Sequence, residues 1–170
     1  MNSPYGADEV LATIEASPAR RVLGVAMLAG LGLLSLYVAL TSAPGFGWWL
    51  FLVAVAGAAL WMGYRMWQAT AHRLELTPQV LRCSDGVELV RIADLEHLDR
   101  GFFAFKPSNG FLMRSRKRDV GQWYPGLWWR MGRRVGIGGV TPGSQTKTAS
   151  EILAALMAEQ NAEAGPGLPR

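Results

Sequence analysis

The chain has 170 residues, half of them hydrophobic, with 17 Lys and Arg against 13 Asp and Glu. A single cysteine, Cys83, excludes an intrachain disulfide framework and any paired-thiol motif, and agrees with a reducing compartment. Once its apolar segments are set aside, the chain is long enough for one small core and not for two.

Residues 1–21 are polar and are expected to be a cytoplasmic tail. Within them, residues 7–17 place Val10, Leu11 and Ile14 on one side of a short helix that could lie on a membrane surface; a frayed tail is the other reading. Two apolar segments follow, residues 22–40 and 48–64, and neither contains a charged residue. At 1.5 Å per residue they reach about 28 and 25 Å, close to a hydrocarbon core of about 30 Å. The sequence therefore predicts a transmembrane hairpin. Arg20 and Arg21 precede the first segment, Arg65, His72 and Arg73 follow the second, and residues 41–47 carry no charge. The positive-inside rule puts both termini in the cytoplasm of a multi-pass protein of the cell inner membrane. Trp48, Trp49, Trp61 and Trp67 stand where interfacial anchors belong, and Pro44, Gly45 and Gly47 favour a tight turn. Ala26 with Gly30, and Ala54 with Ala58, are small-residue pairs that would let the two helices approach closely, although small residues are also common in membrane helices generally. A signal peptide fits less well, because the preceding region is long and acidic. Two buried helices of a soluble protein also fit less well, because the remaining chain is too short to wrap them.

Residues 65–163 are expected to form one cytoplasmic domain, with residues 164–170 as a flexible tail. Arg65 and the residues after it hold 15 of the basic residues and ten of the acidic ones, an excess of +5 that favours an anionic neighbour. Alternating patterns at 72–77, 80–83 and 87–92, and short apolar runs at 102–105, 111–114 and 127–137, predict antiparallel strands with turns at Ser84-Asp85-Gly86 and Asn109-Gly110. Residues 116–126 read as a long connection. Thr148 and Glu151 fit a capping box that opens a helix with Ile152, Leu153, Leu156 and Met157 on one face, and Gly165-Pro166-Gly167 ends it.

Three stretches carry a family resemblance. They are His72-Arg73-Leu74-Glu75-Leu76-Thr77-Pro78, then Leu89-Val90-Arg91-Ile92-Ala93-Asp94-Leu95-Glu96, and Arg134-Val135-Gly136-Ile137-Gly138-Gly139 before the closing helix. With the preceding hairpin, they make the chain resemble a bacterial PH-like domain membrane protein over residues 48–162. The resemblance implies two transmembrane helices followed by a small antiparallel barrel capped by a C-terminal helix. It also implies a non-catalytic subunit, assembly factor or scaffold of a membrane complex, partnered by other integral membrane proteins. Residues 116–126 are longer than its simple pattern requires.

The candidate binding surface for membrane or partner is a basic and aromatic stretch: Arg114, Arg116, Lys117, Arg118, Trp123, Trp128, Arg130, Arg133 and Arg134. Cationic side chains attract phosphate headgroups and tryptophan favours the headgroup layer, so reversible sensing of anionic lipid is the alternative function. The competing reading makes the arginines solvated strand edges and the tryptophans packing; alternation puts Trp128 and Trp129 on opposite faces, so at least one belongs to the core. Nucleic acid is not expected as a partner of a membrane-tethered chain, and no small-molecule substrate is evident. Gly136-Ile137-Gly138-Gly139 lacks the spacing of a dinucleotide loop, and Lys147-Thr148 lacks the glycine of a phosphate loop. His72 and His97 show no cysteine or carboxylate spacing of a metal site. Asp94, Glu96 and Asp99 are expected to face solvent or pair with Arg91 and Arg100. No catalytic residue, metal or cofactor is therefore assigned.

Overall fold

The structure, a computed structural model, describes residues 6, 8–42, 45–99 and 109–163. Pro44, Arg100, the strand expected at 102–105 and the tail expected at 164–170 lie outside them. Its elements run β1 (Ala12–Glu15), α1 (Pro18–Thr41), α2 (Phe46–Ala69), β2 (Arg73–Leu76), β3 (Val80–Cys83), β4 (Glu88–Arg91), a 3-10 turn (Ile92–Asp94), β5 (Leu95–Asp99), β6 (Phe111–Tyr124), β7 (Trp128–Ile137) and α3 (Gly143–Glu163).

The apolar segments are helices longer than their charge-free runs. Each has 24 residues, a length of about 36 Å. Pro18 opens α1, where its missing N–H costs nothing and its fixed φ is already helical. Both helices are long and apolar enough to cross a membrane, and in each span's most apolar stretch only 17% of the residues are buried within the chain. The rest of this chain does not cover them. Their mutual seam is not made by the pairs expected from the sequence. Ala26, Gly30, Ala54 and Ala58 are exposed. The seam consists of Gly32, Ser35 and Ala39 against Ala56, Ala59 and Gly63, each set spaced i, i+3, i+7 as in a coiled-coil interface. A Cβ on Gly32 would stand 2.7 Å from Leu60 Cγ and 3.2 Å from the Ala56 carbonyl oxygen. Glycine at this point is what lets α2 approach.

The strands form two antiparallel sheets, β1-β2-β3-β4 and β5-β6-β7. Between them lies one core, whose bulkiest fully buried members include Trp128, Phe111, Ile14, Leu74, Leu76 and Leu81. Buried Ala149, Leu153 and Leu156, with Ile152 and Met157 half-buried beside them, place one face of α3 on that core. The sheets do not close into the expected barrel: β4 pairs by backbone with β3, and no ladder joins it to β7.

Other expectations are also corrected. Residues 12–15 are neither helix nor frayed tail: β1 pairs with β2 from Ala12↔Leu76 to Glu15↔Arg73 and buries Ile14. A four-residue strand carries too little periodicity to show in the sequence, and its partner lies 58 or more positions away. The helical hairpin is thus an insertion between two neighbouring strands, not a segment that precedes the domain. Residues 116–126 are not a connection; most of them continue β6 to Tyr124. Helix α3 begins five residues before Thr148, so Thr148 and Glu151 are exposed helical positions and not a capping box. The hydroxyl that ties the start of α3 down belongs to Thr146, which donates to the Asn109 carbonyl at 2.6 Å.

Candidate functional site

The basic and aromatic stretch folds into a bent two-stranded ribbon. Tyr124 pairs with Trp128 at the turn, while Phe111 pairs with Ile137 at the far end of the ladder. Past that end, the Gly138 N–H donates to the Leu127 carbonyl and the Val140 N–H to the Gly126 carbonyl, both at 3.0 Å. The two ends of β7 therefore lie side by side, and the strand must double back near its middle. Gly132 sits there with φ +61, a conformation costly for other residues. Between the pairs Arg114↔Arg134 and Asp119↔Gly132, residues 115–118 of β6 oppose Arg133 alone on β7. That excess of residues on one strand is a bulge, which bends a ribbon sharply.

The bend gathers the predicted cations at one end, and three of them are spoken for. Arg114 pairs with Glu96 at 3.3 Å and Lys117 with Asp94 at 2.9 Å. The acids at 94 and 96 therefore do not pair with Arg91, which holds Glu88 at 3.2 Å. Arg130 is 5% exposed. Its guanidinium donates to the Glu88 carbonyl at 3.1 Å, the Leu89 carbonyl at 3.2 Å, the Val120 carbonyl at 3.1 Å and Gln122 Oε1 at 3.2 Å. It also pairs with Asp119 at 2.9 Å. Arg130 thus joins β7 to the β4 edge where no backbone ladder does, a task suited to a planar fork of five donors. Among the described residues, Arg116, Arg118, Arg133 and Arg134 are exposed and make no ion pair.

The tryptophans divide by alternation. Trp128 is 1% exposed and belongs to the core. Trp129, on the other face, packs so closely on Gly136 that a Cβ there would meet its indole at 2.5 Å. Trp123 is exposed, as are Val120 and Met131. Trp123, Trp129, Met131, Leu112 and Arg134 line an open groove of about 1110 Å³ inside the bent ribbon. Trp48 and Trp49 stand in the first turn of α2 and Trp67 in its last, about 28 Å apart along the axis. Trp61 lies two turns further in and faces out.

The start of α1 is tied both to the sheet domain and to the end of α2. The Ser17 N–H donates to the Val140 carbonyl at 2.9 Å and Arg20 Nη1 to the Thr141 carbonyl at 2.9 Å. Arg21 lies over the Trp67 ring at 3.9 Å and donates to the Trp67 carbonyl at 2.8 Å, where the end of α2 carries unsatisfied acceptors. The pair of arginines read from sequence as charge at a membrane border is therefore also a structural clasp.

At the same junction the fold assembles a group that sequence spacing did not reveal. Leu74 pairs with Cys83 across the β2–β3 hairpin, so His72 and Asp85, just beyond the strands, meet at its open end. One side-chain donor atom each of His72, Cys83 and Asp85 lie within 4.8 Å of one another. Tyr124 from β6 donates its hydroxyl to Asp85 Oδ2 at 2.5 Å, and the Val87 N–H donates to Asp85 Oδ1 at 3.1 Å. The Tyr124 ring stacks on Trp128 at 4.7 Å and meets His72 edge-on at 5.9 Å. Burial and the Asp85 carboxylate push the Tyr124 hydroxyl up to about 12. Burial pushes the Cys83 thiol up to about 11. Burial also opposes the charge on Asp85, but the bonds from Tyr124 and Val87 outweigh it and hold this carboxyl below its ordinary value.

Comparison with models of protein families, with curated proteins and with solved structures finds no match to this chain.

Nucleophilic cysteines need a lowered pKa, and Cys83, buried and protonated at neutral pH, is a poor nucleophile. The groove is mainly apolar in its lining and has one exposed cation, Arg134, which suits an apolar group with an adjoining negative charge.

Proposed function

We propose that the protein is a non-catalytic inner-membrane component, a subunit, assembly factor or scaffold of a membrane complex, with a PH-like domain on the cytoplasmic side. The observation that carries this reading is the insertion of the helical hairpin between β1 and β2. Glu15 is paired with Arg73, so the helices leave and re-enter the sheet at adjacent points; the Arg20 bond ties the start of α1 to the sheet domain, and the Arg21 bond ties it to the end of α2. A domain held in this way presents its groove at a set distance from the bilayer, which is what a scaffold requires and what a flexible tether would lose. Among the described residues, the six strands that follow the hairpin and the C-terminal helix after them support the PH-like reading.

A partner protein fits the ribbon better than reversible lipid sensing. Arg114, Lys117 and Arg130 are neutralised by acids of the same domain. The bend bearing Arg116, Arg118 and Arg133 is the end of the ribbon opposite Gly126, and Gly126 is the part that touches Met66 and Thr70 at the end of α2. The test is gentle detergent purification of the full chain with Trp123→Ala and Met131→Ala in the groove, beside a charge reversal at Arg116, Arg118 and Arg133. Stoichiometric co-purification of an integral membrane protein that the groove variants lose is the expected result. Full-length protein that purifies alone, and whose contacts in nanodiscs depend only on anionic lipid and on the three arginines, overturns it.

A further inference from the structure

We propose that His72, Cys83 and Asp85 form a binding site for a zinc-class divalent ion at the point where α2 joins the sheet domain. Imidazole, thiolate and carboxylate are ligand types that such ions combine, at about 2.0–2.3 Å. A tetrahedron of bonds that long separates its ligand atoms by about 3.3–3.8 Å. The three donor atoms already lie within 4.8 Å of one another, so closing the site needs movements of about 1 Å, within the reach of side-chain torsions. His72 is half-buried and Asp85 exposed, so core packing locks neither of them, while β3 fixes Cys83.

The surroundings are those of a supported site. Ligand carboxylates are commonly oriented by a second hydrogen bond, and Tyr124 and Val87 both hold Asp85. Trp128 Nε1 is buried near Cys83 without a hydrogen-bond partner. A thiolate held by the ion would give this orphaned donor the acceptor it lacks. With three protein ligands the fourth position is left for water or an incoming group. The bound ion would tie the residue just past α2 to the β3–β4 turn.

The chain makes the test unusually clean, because it has one cysteine and two histidines. Full-length protein in detergent, reduced and stripped with a chelator, is titrated with Co²⁺. The expected result is saturation at one ion per chain, with a thiolate-to-cobalt charge-transfer band that Zn²⁺ abolishes by displacement. Cys83→Ser should remove the band, and His72→Gln and Asp85→Asn should each weaken binding at least tenfold. His97→Gln should leave it unchanged, and Tyr124→Phe, which keeps every ligand, should weaken it severalfold. Melting curves confirm that each variant is folded. Folded wild-type protein that shows no saturable Co²⁺ or Zn²⁺ binding overturns the proposal, as does binding that survives Cys83→Ser or depends on His97 in place of His72.

Discussion

Arg130 shows how far one residue can depart from what its composition suggests. In sequence it is one of seven cations on a basic stretch; in the fold it is buried and bonded to the Glu88 and Leu89 carbonyls of β4. Its removal takes a buried donor from both carbonyls, at about 1–3 kcal/mol for each group left unsatisfied. Arg130→Met should therefore lower the melting point of the detergent-solubilised protein, and Arg130→Lys should not restore it, because one ammonium cannot reach acceptors on both strands. The same substitutions at Arg118 should leave the melting point unchanged. Glu75 gives the pH dependence. Hydrogen bonds from Arg73 at 3.0 Å and from Arg82 at 3.2 Å hold its carboxyl below the ordinary glutamate value. A depressed folded-state pKa adds stability that is complete above the unfolded value, near 4.5, and is lost as the pH falls through the folded one. Melting temperature measured through the acid range should fall less steeply for Glu75→Gln than for the wild type.

At the scale of elements, β1 decides how the domain is built. Were residues 12–15 a frayed tail, truncating Ile14 would cost nothing. As a buried strand residue beneath α3, Ile14→Ala should cost about 2–5 kcal/mol, read as a lowered denaturation midpoint of the full chain. The helices make the complementary point. The pattern that marks them as apolar is plain, but which face of α1 meets α2 is not. Gly24, Gly30 and Gly32 look alike in sequence, yet in the seam Gly32 accepts Leu60 while Gly30 has nothing within 4 Å.

For the whole molecule, the insertion of the hairpin between paired strands sets a constraint on topology. Ser17 and Arg73 are both tied to the same sheet domain, so residues before α1 and after α2 belong on one side of any bilayer the helices cross. In a Cys83→Ser background, a membrane-impermeant thiol reagent applied to intact cells should label a cysteine placed at Gly47 and spare one placed at Ser144. Labelling of both, or of Ser144→Cys alone, contradicts the orientation proposed.

Sequence by itself determined the features that depend on neighbours along the chain. These are the two long apolar helices, the strands within the alternating runs 72–77, 80–83 and 87–92, and the apolar face of α3, because 3.6-residue and two-residue periods are local. It also placed one of the adjacent tryptophans in the core. Only the tertiary structure decided the features that depend on residues far apart. Ile14 meets Leu74, Arg130 meets Glu88, and His72 meets Cys83, Asp85 and Tyr124. The physical reason is that each of these contacts is fixed by the register of a ladder or the bend of a ribbon. Register and bend are properties of two strands together, and no single segment records them.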